Sequence, residues 1–303
     1  MSAQQADTPA FRFAPSPTGY LHIGHALSAI VGYELARRYN ARFLVRIEDT
    51  DVGRARRDFV DAILQDLAWL GLDWEQPVLL QSQRLDVYRA EQDKLTAMGL
   101  LYPCFATRKE IAAATAGKHR FDPDGAPVYP GLYKSLDAAT AQTRIAAGDA
   151  FALRLDMDKA VATAQTKLAD SGGRLGYVGF QPTGGEHFVA IDPRRWGDVV
   201  IARKDTGTSY HLAGVIDDAR QGVTHVARGK DLEAATDIHR LLQVLLDLPA
   251  PVYHHHDLVL DEDGRKLSKS AGDTSLRSLR ERGWTPADIR RQLQDILRHY
   301  MDV

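Results

Sequence analysis

The stretch Phe11-Arg12-Phe13-Ala14-Pro15-Ser16-Pro17-Thr18-Gly19-Tyr20-Leu21-His22-Ile23-Gly24-His25 joins a short apolar run to the start of a helical pattern. The run from Phe11 to Ala14 favours a strand that Pro15 ends, and the apolar spacing from His25 to Tyr39 favours a helix. In α/β proteins ligands bind where such a strand passes into a helix, because the helix start offers N–H groups and a positive dipole end to phosphate. The stretch therefore predicts a phosphate site at the edge of a parallel sheet.

The rest of the chain continues the alternation of strand-like and helix-like segments, which is typical of an α/β protein. Thr285 followed by Pro286 predicts a further helix start near the end of the chain. A stretch rich in Gly and Pro at 115–135 indicates an insertion, so we expect 102–207 to form a smaller domain within the α/β sheet. Strands are predicted at 43–47, 151–157, 198–203, 223–228 and 252–260, and helices at 54–70, 85–98, 210–220 and 232–246.

The composition is that of an ordinary globular protein. The chain has 303 residues, of which 44% are hydrophobic and 26% charged, which excludes wholesale disorder and fibrous repeats and predicts about two domains. The sequence shows neither a run of about 18 apolar residues nor a signal-peptide pattern, so a cytoplasmic location is expected. A single cysteine, Cys104, excludes an intrachain disulfide. With a formal net charge of −2, nucleic acid can be attracted only by a local basic patch.

Two motifs carry candidate chemistry. His22 and His25 lie one helical turn apart and can donate hydrogen bonds to one anionic group, while Gly24 leaves room for an adenine or ribose. Far downstream, Lys266-Leu267-Ser268-Lys269-Ser270 suits a clamp on a triphosphate, because ammonium groups stabilise the charge that grows on phosphoryl oxygens in a transition state. Each motif alone is more often a pair of surface histidines or a solvated loop. Their occurrence in one α/β pattern favours a nucleotide site.

The sequence resembles the class I aminoacyl-tRNA synthetases of the glutamyl type over roughly 11–270. The matching segments are Arg12 to Gly19, His22 to His25, Arg46-Ile47-Glu48-Asp49-Thr50-Asp51, Tyr210, Arg228-Gly229 and Lys266 to Ser270. The resemblance implies an α/β fold with a Rossmann-type parallel-sheet catalytic domain in two halves, 1–101 and 208–252. It also implies an inserted α+β domain at 102–207 that resembles the domain binding the tRNA acceptor end, and a KLSKS loop with a short helical C-terminal segment at 253–303. The implied reaction forms glutamyl-adenylate from glutamate and ATP, with Mg²⁺.

The resemblance also implies roles for individual residues. Glutamate presents a side-chain carboxylate that guanidinium groups can pair, so Arg12 and Arg228 are expected there, Glu48 at the ammonium group, and Ser16 and Tyr210 as neutral partners. The full assignments are catalytic His22, His25, Lys266 and Lys269; ATP-binding Pro15, Thr18, Gly24, Ser268 and Lys269; and glutamate-binding Arg12, Phe13, Ala14, Pro15, Ser16, Glu48, Tyr210 and Arg228.

Only 33 residues follow Ser270, fewer than the anticodon-binding domain of glutamyl-tRNA synthetases needs. The same body plan without that domain resembles the enzymes that attach glutamate to the queuosine base at the wobble position of tRNA(Asp). The expected partners are therefore glutamate and queuosine-bearing tRNA(Asp), with the protein acting as a monomer. Two alternatives stay open: a truncated glutamyl-tRNA synthetase charging a tRNA 3′ end, and a non-catalytic paralogue that binds ATP or glutamate.

Many relatives hold a structural zinc with three cysteines and a tyrosine in the insertion. Cys104 and Tyr129 match two of these ligands, but Ala106 and Tyr133 stand where the other two cysteines would be. One thiolate and one phenol do not make a tetrahedral zinc site, so no structural zinc is predicted.

Three further clusters are weaker candidates. Consecutive histidines at 254–256 on a strand alternate faces and cannot share one metal ion. Two groups of arginines could contact tRNA or simply form solvated helix faces: Arg54, Arg56 and Arg57, and Arg277, Arg280 and Arg282.

Overall fold

The computed structural model describes residues 8–170, 172–259 and 275–300. The strands are β1 (Ala10–Phe13), β2 (Arg42–Ile47), β3 (Glu75–Leu80), β4 (Leu101–Cys104), β5 (Ala152–Leu155), β6 (Gly176–Phe180), β7 (Glu186–Ala190), β8 (Val200–Ala202), β9 (His225–Gly229) and β10 (Val252–His256). The helices are α1 (Ile23–Arg38), α2 (Arg57–Trp69), α3 (Leu85–Ala97), α4 (Arg108–Thr115), α5 (Ala138–Ala146), α6 (Met157–Ala169), α7 (Tyr210–Arg220), α8 (Thr236–Leu245), α9 (Leu276–Glu281), α10 (Pro286–Gln292) and α11 (Gln294–Leu297).

Parallel strands from the two ends of the chain meet at the centre of the fold. Strand β2 pairs in parallel with β1 and β3, and β10 pairs in parallel with β9 and β6. The two groups are joined at Thr224, whose backbone N–H donates to the Ala10 carbonyl at 3.0 Å while its hydroxyl accepts from the Ala10 N–H at 2.9 Å. The start of β9 therefore lies beside the start of β1, and the predicted Rossmann-type α/β fold is confirmed.

A separate antiparallel sheet is formed by β4, β5 and β8, which fall within the predicted insertion except for Leu101 at the start of β4. Strands β6 and β7 also fall within 102–207 in sequence, but β6 pairs with β10. The predicted domain boundaries stay a prediction. The predicted strand at 151–157 is too long, because the Asp156 carboxylate accepts from the Lys159 N–H at 3.3 Å and begins α6 at Met157.

Two apolar cores support the parallel strands. One packs α1 and α2 with the C-terminal helices, where Leu276, Ile289 and Leu297 are fully buried. The other packs α3, α6, α7 and α8. Burial of each such leucine or isoleucine stabilises the fold by about 1.5–3 kcal/mol, and α9 packs against α2. In the described ranges, no helix has the length and apolar character needed to cross a membrane.

Candidate active site

A cavity of about 340 Å³ lies at the carboxyl ends of β1 and β9. The predicted residues that fall within the described ranges all line it: Arg12, Phe13, Ala14, Pro15, Ser16, Thr18, His22, Gly24, His25, Glu48, Tyr210 and Arg228. The structure thus brings together segments that are about 200 residues apart in the chain. Lys266, Ser268 and Lys269 lie outside the described residues, and the roles of all these residues stay predictions.

The two histidines stand at the start of α1 in an arrangement that fixes the tautomer of their neutral rings. The Nδ1 atom of His22 accepts from the Gly24 N–H at 3.1 Å, and the Nδ1 atom of His25 accepts from the His22 N–H at 3.2 Å. Because both Nδ1 atoms are acceptors, the neutral rings carry their proton on Nε2. The ring centroids are 3.9 Å apart, so the pair can present two N–H donors to one anionic group. A Cβ on Gly24 would lie 3.0 Å from the His22 ring, so a larger residue there would crowd the pair.

The chain on either side of residues 260–274 is fixed next to this cavity. Leu258 and Val259 line the cavity, and Ser275 forms a β-bridge with His22. The Leu276 N–H donates to the Leu21 carbonyl at 2.8 Å. Both anchored ends of the segment that carries the two predicted catalytic lysines therefore lie at the candidate nucleotide site.

Four buried charged side chains form one network beside the cavity. The Arg12 Nε donates to Asp218 Oδ1 at 3.1 Å, and Arg46 Nη1 donates to the same oxygen at 2.6 Å. Arg46 Nη2 donates to Glu48 Oε1 at 3.2 Å, and Arg46 is fully buried. The group contains two guanidinium groups and two carboxylates, so its formal charge is balanced.

The two carboxylates of this network respond differently to their surroundings. Burial raises the pKa of Glu48, although Arg46 and Arg12 act against it. Burial also acts to raise the pKa of Asp218, but the charges of Arg12 and Arg46 outweigh it and lower the pKa. Asp218 is therefore firmly ionised, and Glu48 is the carboxylate whose charge a substrate ammonium group would stabilise.

Arg228 is a buried cation of a different kind. Its side chain donates to the Tyr210 hydroxyl at 3.2 Å, the Thr236 hydroxyl at 2.7 Å, His239 Nδ1 at 3.2 Å and His255 Nε2 at 3.4 Å. None of these partners carries a negative charge, and no carboxylate of the described residues pairs with Arg228. A buried guanidinium without a counter-ion is a strong attractor for an anionic ligand.

Sequence reasoning gave no role to several residues that hold this site together. Asp218 accepts from Arg12 of β1 and from Arg46 of β2. Thr236 and His255 accept from Arg228 of β9. One signal was present: two adjacent aspartates, Asp217 and Asp218, interrupt the apolar pattern of α7. Buried carboxylates need cationic partners, so an acidic pair in an apolar helix indicates a charged network.

The residues that align with the zinc ligands of many relatives form an aromatic cluster here. Cys104 Sγ donates to the Tyr129 hydroxyl at 3.2 Å, the Tyr133 N–H donates to the same oxygen at 3.0 Å, and the Arg154 guanidinium lies 3.8 Å from the Tyr129 ring centroid. These side chains do not fit a tetrahedral zinc site, and the described residues contain no cluster of three or more His, Cys, Asp or Glu that could hold a metal ion.

The remaining candidate clusters make local contacts. His254 contacts Tyr300, whereas His255 contacts Arg228 on the opposite face of β10, which agrees with the expected alternation. The exposed arginines of the first basic group pair with neighbouring acids: Arg54 with Asp51, Arg56 with Asp58 and Arg57 with Asp61. Such exposed pairs contribute at most about 1 kcal/mol each.

Comparison with known proteins gives consistent matches. Residues 10–296 match the family model described as "tRNA synthetases class I (E and Q), catalytic domain". The glutamyl-Q tRNA(Asp) synthetase of Rhodobacter capsulatus is 46% identical over 92% of this chain and 98% of that protein. The glutamate–tRNA ligase of Aquifex aeolicus is 37% identical over 91% of this chain, which spans only 54% of that protein.

A solved structure agrees with these sequence matches. The glutamate tRNA ligase of Elizabethkingia meningosepticum, determined in complex with its amino acid, superimposes with a TM-score of 0.70 at 25% identity. That match covers 92% of this chain and 59% of the other. The likeness therefore extends over most of this chain.

Proposed function

Because this chain belongs to the class I tRNA synthetases of the glutamate and glutamine type, which are ATP-dependent ligases, we propose that it activates glutamate and transfers it to the queuosine base at the wobble position of tRNA(Asp). The acceptor part of the proposal is supported by the name of the 46% identical Rhodobacter capsulatus relative. The glutamate part is supported by the charge arrangement of the cavity.

The observation that carries the glutamate assignment is the presence of one unbalanced guanidinium beside a balanced network. Arg12, Arg46, Glu48 and Asp218 offset one another, while the partners that Arg228 has among the described residues are all neutral. Free glutamate carries one ammonium group and two carboxylates. We assign its side-chain carboxylate to Arg228 and its ammonium group to Glu48, which leaves the α-carboxylate to react.

In the first step an α-carboxylate oxygen attacks the α-phosphorus of ATP, and the bond to pyrophosphate breaks. His22 and His25 would donate Nε2–H bonds to the phosphates, and Lys266 and Lys269 would stabilise the charge on the leaving pyrophosphate. Magnesium would enter bound to ATP and neutralise part of the triphosphate charge. In the second step a hydroxyl group of queuosine attacks the acyl carbon, AMP leaves with the bonding electron pair, and the hydroxyl proton passes to the phosphate of the departing AMP.

The decisive experiment measures glutamate incorporation into tRNA(Asp) with and without queuosine. The 3′-terminal adenosine is removed enzymatically in one arm, because periodate would also oxidise any vicinal diol of the modified base. Incorporation that needs queuosine and survives removal of the adenosine is the expected result. Incorporation that is lost with the adenosine would instead identify an enzyme charging the tRNA 3′ end.

Exchange of pyrophosphate into ATP separates both enzymes from a non-catalytic paralogue. We expect glutamate-dependent exchange, assayed with and without tRNA(Asp), and no exchange under either condition would identify the paralogue. We also propose that the protein acts as a monomer, because residues of a single chain line the whole described cavity. Light scattering of the protein with and without tRNA tests this.

A further inference from the structure

We infer that Thr236 and His255 are positioning residues that fix the Arg228 guanidinium for a side-chain carboxylate, an inference that rests on the proposed glutamate-activating function. Thr236 is the first residue of α8, and His255 lies in β10 opposite Arg228 in the parallel register. Neither lies among the residues that line the cavity. They would therefore act on glutamate only through Arg228.

The three side chains form a closed set of hydrogen bonds. Arg228 Nη2 donates to Thr236 Oγ1 at 2.7 Å, and Arg228 Nε donates to His255 Nε2 at 3.4 Å. The Thr236 hydroxyl lies 3.1 Å from the same His255 nitrogen. Because this nitrogen accepts from Arg228, the hydroxyl must donate its proton to it. His255 then carries its own proton on Nδ1.

These contacts leave the guanidinium little freedom to rotate. A guanidinium has five N–H donors in one plane, and the contacts to Tyr210, Thr236, His239 and His255 use about four of them. The remaining donor is on Nη2, the nitrogen held by the short bond to Thr236. Thr236 is fully buried, so water cannot replace its hydroxyl in this role. The orientation of the donor that meets the substrate therefore depends on Thr236.

The same partners leave the charge of Arg228 intact. Burial, reinforced by the charge of Arg228, lowers the pKa of His255 to about 3 and the pKa of His239 well below its ordinary value. Both imidazoles are therefore neutral acceptors at neutral pH. Arg12 differs, because its guanidinium is already paired with the Asp218 carboxylate. Because these partners are neutral, they can hold Arg228 rigidly while it still attracts an anion.

The test compares Thr236→Val, which removes the hydroxyl at nearly constant volume, with Thr236→Ser, which keeps it. Steady-state pyrophosphate exchange is measured with tRNA(Asp) present, varying glutamate, glutamine and ATP separately. We expect Thr236→Val to raise the KM for glutamate about 10- to 100-fold, with the KM for ATP within about twofold of wild type. The preference for glutamate over glutamine should fall by a similar factor, and Thr236→Ser should restore both values to within about threefold.

A second pair of variants addresses His255 in the same assay. His255→Gln keeps a neutral acceptor and should stay within about threefold of wild type, whereas His255→Leu should raise the KM for glutamate. If the wild type catalyses exchange and folded Thr236→Val has an unchanged KM for glutamate, the inference is overturned but the proposed function is not. Absence of exchange in the wild type would overturn the proposed function and the inference with it. Loss of thermal stability with unchanged glutamate selectivity would show a merely structural role and also overturn it.

Discussion

Replacing Arg228 by methionine removes the unbalanced charge of the cavity while keeping a side chain of similar length. Arg228 is only 4% exposed, and the described residues supply no second cation without a carboxylate partner at this position. The substrate side-chain carboxylate would then enter a buried site without a counter-ion. We therefore expect glutamate binding to weaken strongly, while ATP binding changes by less than about threefold.

The size of the effect follows from the burial and the neighbouring charges. Removing one partner of a buried ion pair costs about 3–5 kcal/mol, which corresponds to an affinity loss of about 100- to 4000-fold. Arg12 cannot compensate fully, because Asp218 holds its Nε at 3.1 Å. Arg228→Lys provides a matched control: it keeps the charge but loses the planar donors, so its affinity should lie between those of the wild type and Arg228→Met.

Calorimetric titration with glutamate and, separately, with a non-hydrolysable ATP analogue measures the two affinities. Thermal unfolding of each variant shows whether the protein is folded, since Arg228→Met also leaves the hydroxyl and imidazole partners of Arg228 without their donor. A loss of glutamate affinity below about fivefold in folded Arg228→Met would refute the charge argument. An equal loss of ATP affinity would show that Arg228 supports the whole cavity rather than the glutamate subsite.

Three other perturbations test separate parts of the molecule. Lys269→Ala should lower the turnover of pyrophosphate exchange about 100- to 1000-fold with little change in the KM for ATP, and comparable losses in both would contradict a transition-state role. Burial raises the pKa of Asp66 to about 6, with Arg280 3.5 Å away opposing the shift, so ionisation of Asp66 lowers the stability of the fold as pH rises from about 4 to 6. Asp66→Asn should therefore raise the free energy of unfolding in urea by about 1–3 kcal/mol at pH 8 but not at pH 4, and an equal change at both would count against this. The untagged protein should contain no stoichiometric zinc by metal analysis, whereas the double variant Ala106→Cys with Tyr133→Cys should bind about one ion per chain; one zinc in the unaltered protein would defeat the prediction.

Elements with local start signals could be predicted from the sequence. The helix predicted at 210–220 is α7, in which the Ser209 hydroxyl accepts from the Leu212 N–H. The predicted helix start at Thr285 and Pro286 is confirmed, because Thr285 and Asp288 form a capping box. Helix α4 was missed although Thr107 and Glu110 form the same motif. The Gly- and Pro-rich stretch that follows obscures this start signal in the sequence.

Contacts between distant segments could not be predicted in the same way. The bond from Arg12 to Asp218 joins residues 206 apart, and the pairing of β6 with β10 brings a strand from within 102–207 into the main sheet. Local propensity carries no information on either. Family motifs located twelve of the residues that line the cavity, because those residues stand within the quoted sequence patterns. They did not locate Thr236 or His255, which bond to Arg228 and do not line the cavity.

The charge arrangement gives Thr236 and His255 a reason to matter for glutamate binding under the proposed function. A buried arginine is usually stabilised by a carboxylate, as Arg46 is by Asp218 at 2.6 Å, but such a partner cancels the field that would attract an anionic substrate. Arg228 avoids this because hydroxyl and neutral imidazole acceptors satisfy its N–H groups without adding negative charge. A buried guanidinium that has no carboxylate partner among the described residues is costly, and the side-chain carboxylate of the proposed substrate would offset that cost on binding. Glutamine, which is neutral at the same position, would leave that cost in place, so under the proposed function we expect the arrangement to favour the acid over the amide.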